Sequence, residues 1–364
     1  MNEKKHELLP DILRGFAILL MVFAHCIQAG SGTAFRDNSL YFQDKLYQFI
    51  YSFHMPLFML ISGYFAQKSI DRAKKKQERL SLLKRRSLSL ISPILFWTVF
   101  ELLYAYISNI IQGYPNQPLS AIIIEFVKKL LVNCWFLWAV FWCFLLVYLM
   151  HYCFKDSVLL YLLGFLSFFI LPDGMNLGVY KFSAIYYVTA FYFADYIKKK
   201  DSPLFEKLSS FKNLCGYTLL LGILFIGLFS FYNDQCFIYT TGFHFIGKNI
   251  PIQIGIDIYR IIIGFVGSCF FILLGKLLLG IFPNYKFPLL SLLGNHSMGI
   301  YLISGYVLLF GAVRITDSME PSYLINLITC VAIVMISTLF TLILKRISWL
   351  SWTIGKPRLQ KMRQ

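Results

Sequence analysis

Apolar runs of ~20 residues recur along the whole chain, separated only by short polar connections. One such run, wound as a helix, crosses a ~30 Å hydrocarbon layer. Of the 364 residues, 58% are hydrophobic and only 14% are charged, and the mean hydropathy is +0.64. A soluble domain carries about 25% charged residues. This chain has too little polar sequence to coat a soluble body of its size. The expected fold is therefore all-α: a polytopic integral membrane helical bundle.

Ten spans are predicted, at about 12–29, 46–66, 88–110, 133–151, 157–172, 182–197, 213–232, 254–275, 291–312 and 323–344. Residues 119–132, "LSAIIIEFVKKLLV", read as an amphipathic interfacial helix ahead of the fourth span. Connections on the side of both termini hold 25 Lys and Arg residues, and those on the other side hold five. By the positive-inside rule both termini are cytoplasmic, and an even number of spans agrees. The chain then reads as one transmembrane domain over 1–350 and a short basic cytoplasmic tail over 351–364. No internal repeat and no soluble domain is visible. The first run has the basic start of a signal peptide. Arg14 and His25 interrupt it and no small-x-small cleavage site follows, so retention as the first membrane helix is expected.

The net charge of +16 does not point to nucleic acid, because the basic residues cluster between apolar runs. The eight cysteines sit mostly inside those runs and form no C-x-x-C pair. They read as small buried hydrophobes, and no metal site is expected.

Ionisable groups at membrane depth are costly and mark candidate sites. Within "DILRGFAILLMVFAHC", residues 11–26, Arg14 and His25 are 11 residues apart. That is about three turns, so both lie on one helix face, ~16 Å apart along the axis. Arg14 is expected at the cytoplasmic interface and His25 near mid-bilayer. The second span holds "YSFHMPLFMLISGYF", residues 51–65. If it begins near Leu46, His54 lies ~12 Å below the outer interface, a depth similar to that of His25. Pro56 should loosen the helix beside His54, and Ser62 and Gly63 permit close helix contact. Each histidine either hydrogen-bonds a neighbouring helix or serves as a proton acceptor. Matching depth, with an arginine on the face of one, favours the second. A neutral imidazole can accept the proton of a hydroxyl nucleophile.

Between 67 and 86 lie nine basic and two acidic residues. They set topology and attract anionic headgroups. Lys84, Arg85 and Arg86 also suit a phosphate clamp for a polyanionic cytoplasmic cofactor. Glu101 has no local partner and is a weaker candidate, and Asp195 is a further charge in span six. Asp257 and Arg260, spaced i, i+3, can neutralise each other and read as structural. Trp135 and Trp138 in "NCWFLWAVF" suit either interfacial anchoring or an aromatic wall for a sugar ring.

These stretches resemble acyltransferase family 3, polytopic membrane acyltransferases that modify surface glycans. "LRGFAILLMVFAHC" is similar to the family's opening, an arginine followed after ten residues by a histidine. "FHMPLFMLISGYF" and "WFLWAVF" resemble second- and fourth-span motifs of the branch related to fucose O-acetylases. "LGNHSMGIYLIS", residues 293–304 and including Tyr301, resembles the late-helix pattern. Two positions depart. Ser89 stands where an Arg-x-x-Arg pair entering the third helix would end, and Ser304 stands where the late motif often has histidine.

The resemblance implies transfer of an acyl group, commonly acetyl, from cytoplasmic acyl-CoA to a carbohydrate hydroxyl. It implies Arg14, Lys84, Arg85 and Arg86 as holders of the acetyl-CoA phosphates, His25 as general base or acyl carrier, and His54 as its helper. Glu101, Trp135, Trp138 and Tyr301 are then the acceptor-side candidates. The partners would be acyl-CoA, a surface polysaccharide or lipid-linked sugar, and the lipids of the plasma membrane. Oligomeric state is open, with a homo-oligomer among the options. A proton-coupled transporter of a glycan-related substrate is the alternative. Such folds pair broken helices, and Pro56 has no matching break in the second half. A structural partner in a glycan-export complex is the third reading.

Overall fold

The computed structural model describes residues 7–29, 40–113, 118–154, 157, 159–160, 173–199, 210–244, 249–308, 319–320 and 322–356. Among the described residues every regular element is a helix. The longer ones are α1 (Leu8–Ala29), α2 (Lys45–Arg72), α3 (Lys76–Ile111), α4 (Leu119–Val132) and α5 (Trp135–Cys153). They continue with α6 (Leu177–Lys199), α7 (Phe211–Phe229), α8 (Ile250–Ile281), α9 (Pro288–Val307) and α10 (Tyr323–Arg346). Seven of these (α1, α2, α3, α5, α7, α8 and α10) are long and apolar enough to cross a membrane. α6 and α9 coincide with two further expected spans but are not among the seven. The expected fifth span falls almost wholly outside the described residues. Among the described residues seven helices thus have the length and apolarity of membrane spans, and the chain is an integral membrane protein.

Local chemistry starts the helices where the sequence provides it. The Asp44 side chain caps α2 by accepting from the Tyr47 amide at 2.7 Å. Glu78 reaches back to accept from the Lys75 amide at 3.0 Å at the start of α3. Pro288 opens α9, where its missing N–H costs nothing. Pro56 and Pro93 lie inside α2 and α3. Beside Pro56, the Ser268 hydroxyl of α8 donates to the Phe53 carbonyl at 3.3 Å, a neighbour's group serving a weakened stretch of helix.

α10 and α7 carry large apolar side chains on their outward faces. α10 buries Ser337, Thr338 and Thr341 while Leu327, Ile328, Met335 and Leu339 face outward. α7 likewise exposes Leu219, Leu220, Ile223 and Ile226. Lipid solvates such faces, and the small side chains let helices approach closely. Thr341 Oγ1 donates within its own helix, to the Ser337 carbonyl at 2.7 Å.

α1 lies at the centre, against α9, α2, α10 and α8. Its closest approach is to α9. A methyl built on Gly15 lands on the Leu290 carbonyl, and one on Gly294 lands on the Asp11 carbonyl. Gly63 of α2 meets the Tyr187 carbonyl of α6 in the same way, as its expected role in close contact requires. Asp257 and Arg260 pair at 3.4 Å, both almost fully buried, as their spacing predicts. Beyond α10, a 3-10 turn at Ser351–Ile354 folds back on α3. Trp97 Nε1 donates to the Thr353 carbonyl at 3.0 Å and Ser92 Oγ to the Trp352 carbonyl at 3.2 Å.

Candidate functional site

The central feature is one cavity of about 670 Å³ between α1, α2, α3, α5, α6 and α9. α1 contributes Arg14, Ile18, Met21, His25 and Gln28, at the three- and four-residue steps of one helix face. α2 contributes Tyr47, Tyr51, His54, Phe58, Ile61 and Phe65 at the same steps. The two histidines thus face one space from adjacent helices. From Arg14 to Gln28 the lined face of α1 runs ~21 Å, most of a membrane's thickness.

One end of the cavity is basic. Arg14 is held by Asp11 one turn back, donates through Nε to the Pro10 carbonyl at 3.4 Å, and lies 5.1 Å from the Phe65 ring centre. These bonds use two of five guanidinium donors. Arg86 also lines this end, its guanidinium 5.9 Å from the ring centre of Phe144. Lys84 and Arg85 are exposed and do not line the cavity. The helix faces them outward, because only one residue of three in a row can share the cavity stripe.

The middle holds the imidazoles. His25 Nδ1 is 3.1 Å from Gln28 Oε1. His54 Nδ1 is 2.8 Å from the Ile50 carbonyl, which only accepts, so Nδ1 carries the proton and Nε2 is a bare acceptor. The Tyr51 ring stands edge-on to His54, with centres 4.7 Å apart.

The other end is aromatic. Tyr41 and Phe42 come from a 3-10 turn at Leu40–Gln43, and Tyr239 from a short helical turn at Ile238–Thr241. Trp135 and Phe136 of α5 and Tyr301 of α9 complete the wall. Cys134, at φ +53°, turns the chain sharply between α4 and α5, so that α5 begins at Trp135.

Besides Lys84 and Arg85, two more expected site residues lie elsewhere. Glu101, read as lacking a local partner, has two. Lys129 of α4 forms an ion pair with it, and Asn133 Nδ2 donates to Oε2 at 2.6 Å. Helix α4 and the residue that follows it, distant in sequence, supply them. Trp138 is not a cavity residue. Its indole donates to the Leu130 carbonyl at 2.8 Å and its ring stacks on Trp142 at 6.1 Å. Trp135, one helical turn earlier, does line the cavity. The Asp195 side chain is outside the described residues.

The sequence profile of the acyltransferase domain matches residues 9–346, nearly the whole chain. The chain belongs to acyltransferase family 3. Nodulation protein NolL of Sinorhizobium fredii is 31% identical over 136 residues, covering 37% of this chain and 34% of that protein. Nodulation protein NolL of Mesorhizobium japonicum is 29% identical over 137 residues, or 38% of this chain and 34% of its own length. The match thus spans about a third of the length of these curated relatives. No solved structure gives a significant match.

Sequence reasoning on this family-3 chain missed Gln28, Tyr51 and Tyr239. Gln28 sits three residues after His25, and Tyr47, Tyr51 and His54 form a stripe at helical spacing. Both signals were readable. Tyr239 was not, because a loop far along the chain brings it to the cavity.

Proposed function

We propose that this chain is a plasma-membrane O-acetyltransferase that moves an acetyl group from cytoplasmic acyl-CoA to a hydroxyl of a surface or lipid-linked carbohydrate. One observation carries the reading: a single cavity has arginines at one end, two imidazoles between, and an aromatic wall at the other end. An extended pantetheine arm is comparable to the ~16 Å of helix between Arg14 and His25. Arg14 and Arg86 suit the donor's phosphates, since guanidinium forks match phosphate oxygens. Tyr41, Tyr239, Trp135 and Tyr301 suit a sugar, whose ring faces stack on aromatic rings and whose hydroxyls meet phenol groups.

His25 supplies the base. With Nδ1–H donated to Gln28 Oε1, its Nε2 is free to accept. His25 takes the proton of the acceptor hydroxyl as that oxygen bonds to the thioester carbon. The carbon–sulfur bond then breaks, and His25 returns the proton to the departing thiolate. His54 Nε2, also an acceptor, orients the hydroxyl from α2. The 25-to-5 asymmetry in basic connections supports a cytoplasmic arginine end, where acyl-CoA is found. Cytoplasmic termini would accord with that asymmetry.

The test uses purified protein with acyl-labelled acetyl-CoA, together with glycan mass spectrometry of cells carrying His25→Ala. The reading expects label transfer or thioester hydrolysis by the unaltered chain and loss of the acetyl mass increment in the variant. A transporter would show neither reaction. Unchanged glycan acetylation, with the variant still in the membrane, would sink the role of His25.

A further inference from the structure

A second basic cluster lies beside the arginine end of the cavity, built from parts of the chain that the proposed reaction does not use. His296 of α9 donates through Nδ1 to the Leu292 carbonyl at 2.8 Å, which leaves Nε2 as an acceptor. Lys345, in the last turn of α10, lies 3.4 Å from that Nε2 and donates to it. Lys356, just after the terminal 3-10 turn, is within hydrogen-bonding reach of Lys345. Among the described residues no carboxylate pairs with either lysine.

The fold holds the two ammonium groups together. Gly355, at φ +76°, turns the chain, and a methyl there would strike the Met298 sulfur, with the Ser89 carbonyl of α3 close by. The bonds from Ser92 and Trp97 fix the two residues ahead of it. Met298 and Ser297 line the cavity, as does Arg86, one turn before Ser89 on α3. Two like charges held side by side repel unless an anion lies between them. Partial desolvation and the neighbouring Lys345 ammonium hold Lys356 down to about 8.

We infer that Lys345 and Lys356, with Lys345 steered by His296, form a phosphate-ester site beside the cavity, separate from Arg14 and Arg86. The phosphate has two chemical sources. One is the ribose 3′-phosphate of the acyl donor, and this arm rests on the acyl-CoA reading. The other is the headgroup of an anionic phospholipid, which does not.

The experiment compares the full chain with its Lys345→Ala/Lys356→Ala form. Affinity is measured for CoA and for 3′-dephospho-CoA, and melting temperature in nanodiscs of zwitterionic or anionic lipid. If the phosphate is the donor's, the unaltered chain prefers CoA by about tenfold, the worth of a charge-assisted bond. The double variant then loses that preference and still binds 3′-dephospho-CoA. If it is lipid-borne, anionic lipid raises the melting temperature of the unaltered chain and not of the variant. CoA binding without preference, together with equal lipid response in both forms, overturns the site and leaves the donor reading standing. No CoA binding, with the lipid response intact and lost in the variant, overturns the donor reading and keeps the site. Lys128→Ala, an exposed lysine of α4 outside both the cluster and the cavity, should bind as the unaltered chain does and controls for folding.

Discussion

His25 and Gln28 occupy successive turns of α1, with Nδ1 and Oε1 3.1 Å apart, and both face the central cavity. A neutral imidazole whose Nδ1–H is engaged keeps Nε2 as its acceptor. Gln28 is thus a positioning residue that sets the tautomer of His25. His25→Ala should lower turnover by about 10²–10⁴-fold, the usual worth of a general base. Gln28→Ala should lower it by about five- to tenfold, as for one hydrogen bond. Gln28→Glu keeps the acceptor and should restore much of the rate while moving its pH profile, because a carboxylate raises the basicity of the ring. Label transfer across pH, normalised to membrane protein, decides this. An unchanged profile in Gln28→Glu would count against coupling of the two.

The contact of α1 with α9 sets how far His25 stands from Tyr301. Gly15 and Gly294 abut opposing backbone carbonyls, which cannot swing aside as a side chain can. Gly15→Ala should destabilise the protein by about 1–3 kcal/mol, the range for overpacking. Gly305→Ala, in the same helix as Gly294 but with open space around it, should be near neutral. Melting temperatures in detergent compare them. Equal effects would mean that the close approach is not a constraint.

The cavity-lining stripes on α1 and α2 were legible because helical period is a property of sequence: Arg14 and His25 share a face by arithmetic, and so do Tyr51 and His54. The depth of His54, inferred from where α2 begins, also brought it to the cavity that His25 lines. What was not legible depends on contacts between distant segments. Glu101 looked unpaired because its partners, Lys129 and Asn133, lie about 30 residues on in a different helix. Lys84, Arg85 and Arg86 were indistinguishable as a run, and only the roll of α3 selects Arg86 for the cavity. Trp135 and Trp138 are separated by the same logic. α6 and α9 coincide with two expected spans and are not among the seven helices long and apolar enough to cross.

Glu101 is bound to α4, and this yields a prediction opposite to a role in acceptor binding. The Lys129–Glu101 pair is partly exposed, with side-chain accessibilities of 22% and 27%, so it is worth at most about 1 kcal/mol. Glu101→Gln should leave the acceptor KM within about twofold and slightly lower the melting temperature, because the single amide oxygen keeps one of the two donors, Lys129 or Asn133, and the other loses its acceptor. The exchange Glu101→Lys with Lys129→Glu should recover stability lost in Glu101→Lys alone. A large KM effect in Glu101→Gln, with stability unchanged, would return this residue to the acceptor site.

At the aromatic end of the molecule, Asp173 ties the start of α6 to the loop before α8. Its Oδ1 pairs with Lys181 Nζ at 2.8 Å, and its Oδ2 accepts from His244 Nδ1 and from the Phe243 amide, both at 2.6 Å. Burial pushes this carboxyl up, but the bonds from Lys181, His244 and the Phe243 amide outweigh it and hold the group below its ordinary value. A carboxyl with a lowered native pKa binds its proton less readily folded than unfolded. Its contribution to stability is complete above the unfolded value of about 3.9 and disappears as pH falls through the lower native value. The chain should therefore lose melting temperature on acidification across that window. Asp173→Asn should melt lower at neutral pH and show a shallower acid slope. Because Lys181 is almost fully buried, Asp173→Ala should be worse than Asp173→Asn, leaving that ammonium without its carboxylate. Parallel slopes for the unaltered chain and Asp173→Asn would show that another carboxylate governs acid unfolding.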